Sequence, residues 1–197
     1  LFDIVSALTP DDQIDTAEVI LRTMGLVKDF APVVVLVGHG TTTTNNAFRT
    51  ALDCGACGGH RGAANARIAA ALLAAPAVRA GLAERGIRIP DATIVIAGEH
   101  DTATDALRLF DIEGLRIDHR HAVEKLARDA AAAGRGLAAE RAAELPGATG
   151  GKRAAASVAR RAGDWAQVYP EWGLARNAAL IIGPRALSQQ AGLGRRV

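Results

Sequence analysis

The run Val33-Val34-Val35-Leu36-Val37 constrains this chain more than any other stretch. Consecutive apolar, mostly β-branched residues read as a strand buried on both faces, the habit of a parallel sheet covered by helices. The chain then breaks at once into Gly38-His39-Gly40. The same pattern recurs at Thr93-Ile94-Val95-Ile96-Ala97, which runs into Gly98-Glu99-His100-Asp101, and at Ala178 to Ile182, which runs into Gly183-Pro184-Arg185. Apolar strands that end in glycine turns would carry His39, His100 and Arg185 to the carboxyl edge of a sheet, where open α/β folds bind their ligands.

The segments between these strands read as helices. Thr9-Pro10-Asp11-Asp12 offers a hydroxyl cap, a proline where no amide hydrogen is needed, and acids near the positive helix end. Ile14, Ala17, Leu21 and Met24 follow as one apolar stripe, and Gly25 suits the carboxyl-terminal cap. Asn65 to Ala75 is alanine-rich and helical, and Pro76 starts a second helix that ends at Gly86. Leu107 to Phe110 alternates as a strand would, with a helix as the alternative. His119 to Leu145 is a long helical segment expected to be interrupted near Gly134 and Gly136. Strands alternating with helices predict an α/β fold whose mainly parallel sheet is flanked by helices. Pro146 to Gly151 is the clearest linker, so residues 1–145 are expected to form the α/β portion. Residues 146–197 would add a basic helix through Arg161 and a further strand on the same sheet.

Charge and cysteine usage narrow the class of function. A net charge of +2, from 23 basic and 21 acidic side chains, leaves no electrostatic footprint for nucleic acid. No apolar run approaches the roughly 20 residues that span a bilayer, so the piece is expected to be soluble. Two cysteines spaced Cys-x-x-Cys suit metal or redox chemistry in a cytoplasmic setting better than a secreted disulfide framework. The chain opens on Leu1-Phe2-Asp3 and its one methionine is Met24, so a piece of a longer polypeptide is expected.

The segment from Gly38 to Gly62 concentrates the chemistry. A loop of this length inside a compact domain is usually functional. It holds Asp53-Cys54-Gly55-Ala56-Cys57-Gly58-Gly59-His60. Imidazole nitrogen and thiolate are natural zinc ligands, and zinc takes four such groups, or three plus water. Cys54, Cys57 and His60 with His39 can be read as a self-contained Cys₂His₂ structural site. The cysteines can equally be a redox pair, or one can be a small buried side chain. An α/β hydrolase is disfavoured, because Ser6, Ser157 and Ser188 all lack a Gly-x-Ser-x-Gly elbow.

Phe30-Ala31-Pro32, Gly38-His39-Gly40, Asn45-Asn46, the Asp53 to Gly59 block, Asn65-Ala66-Arg67 and His100 to Asp105 together resemble the DabA family of inorganic-carbon transporter subunits. Asp164-Trp165, Pro170 to Ala175 and Asn177-Ala178-Ala179 extend the resemblance across nearly the whole chain. It implies a fold and zinc site like those of β-carbonic anhydrases, in which a Cys-x-Asp pair earlier in the polypeptide joins a later histidine and cysteine. The matching positions here are His39 and Cys54; no Cys-x-Asp occurs in this chain. Cys57 and His60 then become outer or alternative ligands, as do His100 and Asp101 beyond the second strand. The resemblance further implies hydration of carbon dioxide to bicarbonate, coupled to ion movement through a membrane-embedded, proton-channel subunit called DabB. The setting implied is peripheral, on the cytoplasmic side of the inner membrane.

The remaining polar and aromatic residues have plainer readings. Asp101 and Thr102 can also be read as caps of the following helix or turn, and Asp105 lies where it could orient a ligand. Arg185 could face an anion, although a solvated arginine after a strand is commoner. Trp165 and Trp172 suit a core or a subunit interface.

Overall fold

A computed structural model describes residues 5, 7–44, 53–145, 147–164, 183–187 and 189–190. Helix α1 (Pro10–Met24) starts as its sequence dictates, with the Thr9 hydroxyl accepting from the Asp12 N–H. It stops at Gly25, whose φ of 72° is a left-handed value that glycine adopts without strain. Ala17 and Leu21 are fully buried, whereas Met24, expected on the same stripe, is 50% exposed at the frayed end.

Strand β1 (Val33–Gly40) follows, then helices α2 (Ala63–Ala74) and α3 (Pro76–Glu84), and then strands β2 (Ile94–Asp101) and β3 (Ala106–Phe110). The long helix α4 (Ile117–Glu144) and the short α5 (Ala154–Ala162) form a hairpin. β1 and β2 are parallel, with Val34 beside Val95 and His39 beside His100. β2 and β3 are antiparallel, with Ala97 beside Phe110 and His100 beside Leu107. The sheet of described residues is therefore mixed and three-stranded, in the order β1-β2-β3, and not mainly parallel. The reason is local. Only Thr102 to Asp105 separate β2 from β3, too few residues for the crossover that a parallel pair needs.

Strand burial also differs from expectation. Val95, Ile96 and Ala97 are buried, as an apolar run predicts, but β1 is only half-buried and Val37 is 49% exposed. β1 is the edge strand of this sheet, so one of its sides lacks a strand neighbour among the described residues. The main core packs α1, α2 and α3 against one sheet face, through Leu21, Leu73, Leu82, Val95 and Ala97, with Val34 and Leu36 at its margin. A second, smaller cluster of Ala138, Ala142, Ala154 and Val158 joins α4 to α5.

α4 runs unbroken through both glycines that were expected to interrupt it. Each costs about 1 kcal/mol against alanine in a helix interior. Gly134 repays its cost by letting the turn before β3 come close. A Cβ there would lie 2.5 Å from the Asp105 carbonyl oxygen. No single described helix is long and apolar enough to cross a membrane; α2 and α3 pass only as a pair, bent by 70°. Their apolar faces are already spent on the core. The expected strand at Ala178 to Ile182, and Asn45, Asn46, Trp165 and Trp172, lie outside the described residues.

Candidate metal centre

Sequence reasoning stopped both principal strands too early. β1 continues to Gly40 and β2 to Asp101, so His39 and His100 stand on strands and not in glycine loops. They are direct neighbours across the parallel pair, which puts both side chains on one face of the sheet. His39 is exposed, and the His100 side chain is 39% exposed.

The segment carrying the cysteines is strapped to the end of β1 by its own polar atoms. The Asp53 carboxylate accepts the Thr41 N–H at 2.8 Å, with both residues buried. At the other end of the segment the Gly62 N–H donates to the His39 carbonyl at 2.8 Å. Gly62 can sit there because Gly38 has no side chain; a Cβ on Gly38 would lie 2.4 Å from the Gly62 carbonyl oxygen. Between these straps Cys54 and His60 form a bridge, with the Cys54 N–H donating to the His60 carbonyl at 3.0 Å. The Cys54 carbonyl accepts from both the Cys57 and Gly59 N–H groups at 3.0 Å, closing a tight turn through Gly55–Cys57.

That turn puts the two cysteines at its first and last positions. The hydrogen bond with Cys54, together with burial and the neighbouring sulfur's charge, pushes the Cys57 thiol up from its ordinary range. The Asn65 amide donates to the Cys57 sulfur at 3.2 Å and acts in the opposite sense. Both cysteines are half-buried, and His60 is exposed.

Beside this segment lies a polar layer that was only partly foreseen. Asp101 is buried and ties three segments together. Its Oδ2 accepts the hydroxyls of Thr42 and Thr104, each at 2.6 Å, and its Oδ1 accepts the N–H groups of Thr42 at 3.0 Å and Ala103 at 3.1 Å. Burial pushes its carboxyl up, but these four donors outweigh burial and hold it below the usual carboxylate range. Asp101 thus shapes the strand end, and its oxygens are spent on that work.

Beside it, Arg61 grips Glu99 with both arms of its guanidinium, at 2.9 and 2.6 Å. The Glu99 side chain is only 4% exposed, and Arg61 is its ion-pair partner. This pair was not foreseen. The signal was an acid inside an apolar strand, which must find a cation or stay neutral. His100 donates its Nε2–H to Asp105 Oδ1 at 3.2 Å, and Arg141 of α4 donates to the same oxygen at 3.0 Å. Asp105 Oδ2 is buried with no hydrogen-bond partner among the described residues. The Arg185 side chain lies outside the description.

The family described as "Probable inorganic carbon transporter subunit DabA" matches residues 4–197. This chain belongs to the DabA family. A Bradyrhizobium sp. (strain BTAi1 / ATCC BAA-1182) relative named "Probable inorganic carbon transporter subunit DabA 2" is 49% identical over 187 residues, covering 95% of this chain and 22% of the relative. DabA of Roseiflexus sp. (strain RS-1) is 49% identical over 180 residues, covering 91% of this chain and 21% of its own. DabA of Geobacillus thermodenitrificans (strain NG80-2) is 46% identical over 191 residues, covering 96% and 22%. The chain thus spans about a fifth of the length of the curated DabA relatives it matches. No solved structure matches it.

Against that background the donor set can be weighed. Imidazole and thiolate suit zinc, but zinc needs at least three protein ligands to be held firmly. Among the described residues no group of three or more His, Cys, Asp or Glu side chains is placed to hold a metal ion. The four-ligand set His39, Cys54, Cys57 and His60 is accordingly not assembled. His39 stands on the strand and Cys54 in the segment strapped to its end.

Proposed function

We propose that this chain provides half of a zinc site, His39 and Cys54, within a subunit of an energy-coupled inorganic carbon uptake system that hydrates carbon dioxide to bicarbonate. The observation that carries the reading is the joining of two distant stretches at one strand end, inside a family whose members are named as inorganic carbon transporter subunits. The edge of β1 away from β2, which has no strand neighbour among the described residues, supports it. In this sheet the Ile94 N–H bonds to the Pro32 carbonyl, so the odd-numbered backbone groups of β1 face away from β2. Among the described residues Gly62 meets that edge, at His39. A further strand from the rest of a family-length polypeptide, pairing along Val33 to Val37, would end next to His39 and could deliver the remaining ligands. On this reading the fold completes to one like that of β-carbonic anhydrases.

The residues of this chain have distinct tasks. The chemistry that a bound zinc supplies is a Lewis acid that makes hydroxide available near neutral pH for attack on carbon dioxide. His39 and Cys54 are the donors. Asp53, Gly62 and the Arg61–Glu99 pair hold the Cys54 segment against β1, and Asp101 locks the two strand ends together. Cys57, His60 and His100 lie around the donors and outside the ligand set. The partner in this reading is a membrane-embedded, proton-channel subunit of the DabB type. The DabA subunit itself would be peripheral, on the cytoplasmic side of the inner membrane. The word "subunit" in the relatives' names supports a partner complex.

Metal analysis of the full-length polypeptide tests the assignment. His39→Ala and Cys54→Ala should each lose most of the zinc and the carbon dioxide hydration measured by stopped flow, while Cys57→Ala keeps both. Full zinc in Cys54→Ala with loss in Cys57→Ala would refute it. Stoichiometric zinc retained by this 197-residue chain through dialysis against a chelator would favour a zinc-stabilised Cys₂His₂ module with no catalysis.

A further inference from the structure

Cys54 and Cys57 are the only cysteines of the chain, and they stand at the first and last positions of one hydrogen-bonded turn. A turn of this kind brings its end Cα atoms within about 7 Å, which overlaps the span of about 4.4–6.8 Å that a disulfide bridges. The Cys57 N–H donates to the Cys54 carbonyl at 3.0 Å, which closes the turn between them. The Asn65 amide fixes the outer sulfur, and neither cysteine is sealed from solvent.

We infer that Cys54 and Cys57 are a reversible oxidation site, and that closing the disulfide withdraws Cys54 from the metal. The disulfide rests on the turn geometry alone; its consequence for zinc rests on the function proposed above. The oxidant is a low-molecular-weight disulfide. One cysteine sulfur attacks it and expels one small thiol, leaving a mixed disulfide. The second cysteine sulfur then attacks that bond and expels the other small thiol. Two S–H bonds and one small-molecule S–S bond are lost, and one protein S–S bond is gained. Both electrons and both protons end on the two small thiols. Where Cys54 is metal-bound, its bond to the metal is the one that must break, so zinc and the disulfide exclude each other.

The arrangement gives Cys54 a second thiol at the other end of its own turn. A lone ligand thiolate that is oxidised goes on to sulfinic acid and is lost. A neighbouring thiol diverts the first oxidation into a bond that small thiols can reopen.

The test uses the full-length polypeptide, loaded with zinc and titrated with mixtures of oxidised and reduced glutathione. Peptide mass spectrometry reads the cross-link, and a chromophoric chelator reads released zinc. The expected result is that the peptide carrying both cysteines loses two hydrogens as zinc content falls at least tenfold. Dithiothreitol with added zinc should restore both signals. Cys57→Ser should keep zinc before oxidation and form no internal cross-link. Bound zinc with both thiols still open to alkylation at the most oxidising ratio would overturn the oxidation site while leaving the zinc assignment standing. A cross-link that forms while zinc stays bound would overturn the exclusion. A cross-link in a protein that never binds zinc would uphold the oxidation site and refute the metal reading.

Discussion

Replacing Gly38 with alanine tests whether the Cys54 segment is seated by backbone contact. The new Cβ would lie 2.4 Å from the Gly62 carbonyl oxygen and 2.5 Å from its carbon, where ordinary contact begins at 3.4 Å. Both obstacles are main chain, so no side-chain rotation relieves them. Gly62 would have to retreat by most of an ångström, which breaks its 2.8 Å hydrogen bond to the His39 carbonyl. Losing that bond costs about 1 kcal/mol. Forcing an extra methyl into a packed site costs about 1–3 kcal/mol more. The expected loss is therefore about 2–4 kcal/mol, or roughly 5–12 °C in Tm. Denaturant unfolding followed by circular dichroism reads it, and zinc content of the full-length polypeptide should fall in parallel. Gly58→Ala is the control. Its Cβ meets nothing within 4 Å, but its φ is 66°, so it should lose only about 1–2 kcal/mol of backbone strain energy. A Gly38→Ala protein within about 0.5 kcal/mol of the parent and still holding zinc would refute the seating argument.

Other substitutions separate the remaining interactions. Arg61→Met leaves the buried Glu99 without its cation and should cost about 3 kcal/mol of unfolding free energy by urea titration, near the low end for breaking such a pair because Arg61 is 42% exposed. Gly134→Ala and Gly136→Ala should move in opposite directions in thermal unfolding. The open site of Gly136 gains about 1 kcal/mol of helix propensity, while Gly134 would drive a methyl into the Asp105 carbonyl. The Asp101 carboxyl is held low when folded, so its stabilisation is complete above the unfolded value of about 3.9 and drains away as pH falls through the folded value. Asp101→Asn should thus be less stable than the parent at pH 7, with the gap closing on acidification below about pH 4 in pH-dependent unfolding.

Much of the frame was legible because its causes are local. The Thr9 cap, Pro10 and Gly25 bounded α1 within the chain's own hydrogen bonds, and the β-branched runs marked β1 and β2. What escaped depended on contacts between distant residues. Polar strand ends read as loops because His39, His100 and Asp101 break the apolar pattern, yet ladder bonds carry both strands through them. α4 was expected to break at Gly134 because propensity sees the lost methyl, not the Asp105 carbonyl that occupies its place. The partner of Glu99 lies 38 residues away, beyond any periodicity argument. His39 and Cys54 could be named as candidates from the family pattern, but how their segments are joined depends on Asp53 and Gly62.

The hairpin of α4 and α5 has a small core of its own and meets the strand ends through Gly134 and Arg141 on the turn around Asp105, Thr43 and Thr44 on the Ala162 carbonyl, and a small apolar contact of Ala162 with Ala103. A unit tied this way opens as a block before the rest of the protein does. Amide hydrogens of residues 117–162 should therefore exchange together, at a lower free energy than those of α1, α2 and β2. Each opening would take Arg141 away from Asp105 and leave that carboxylate with His100 as its partner. The partner set of His100, and with it the charge around the histidine face of the sheet, is thus set by a two-helix unit that can open while the main core stays closed.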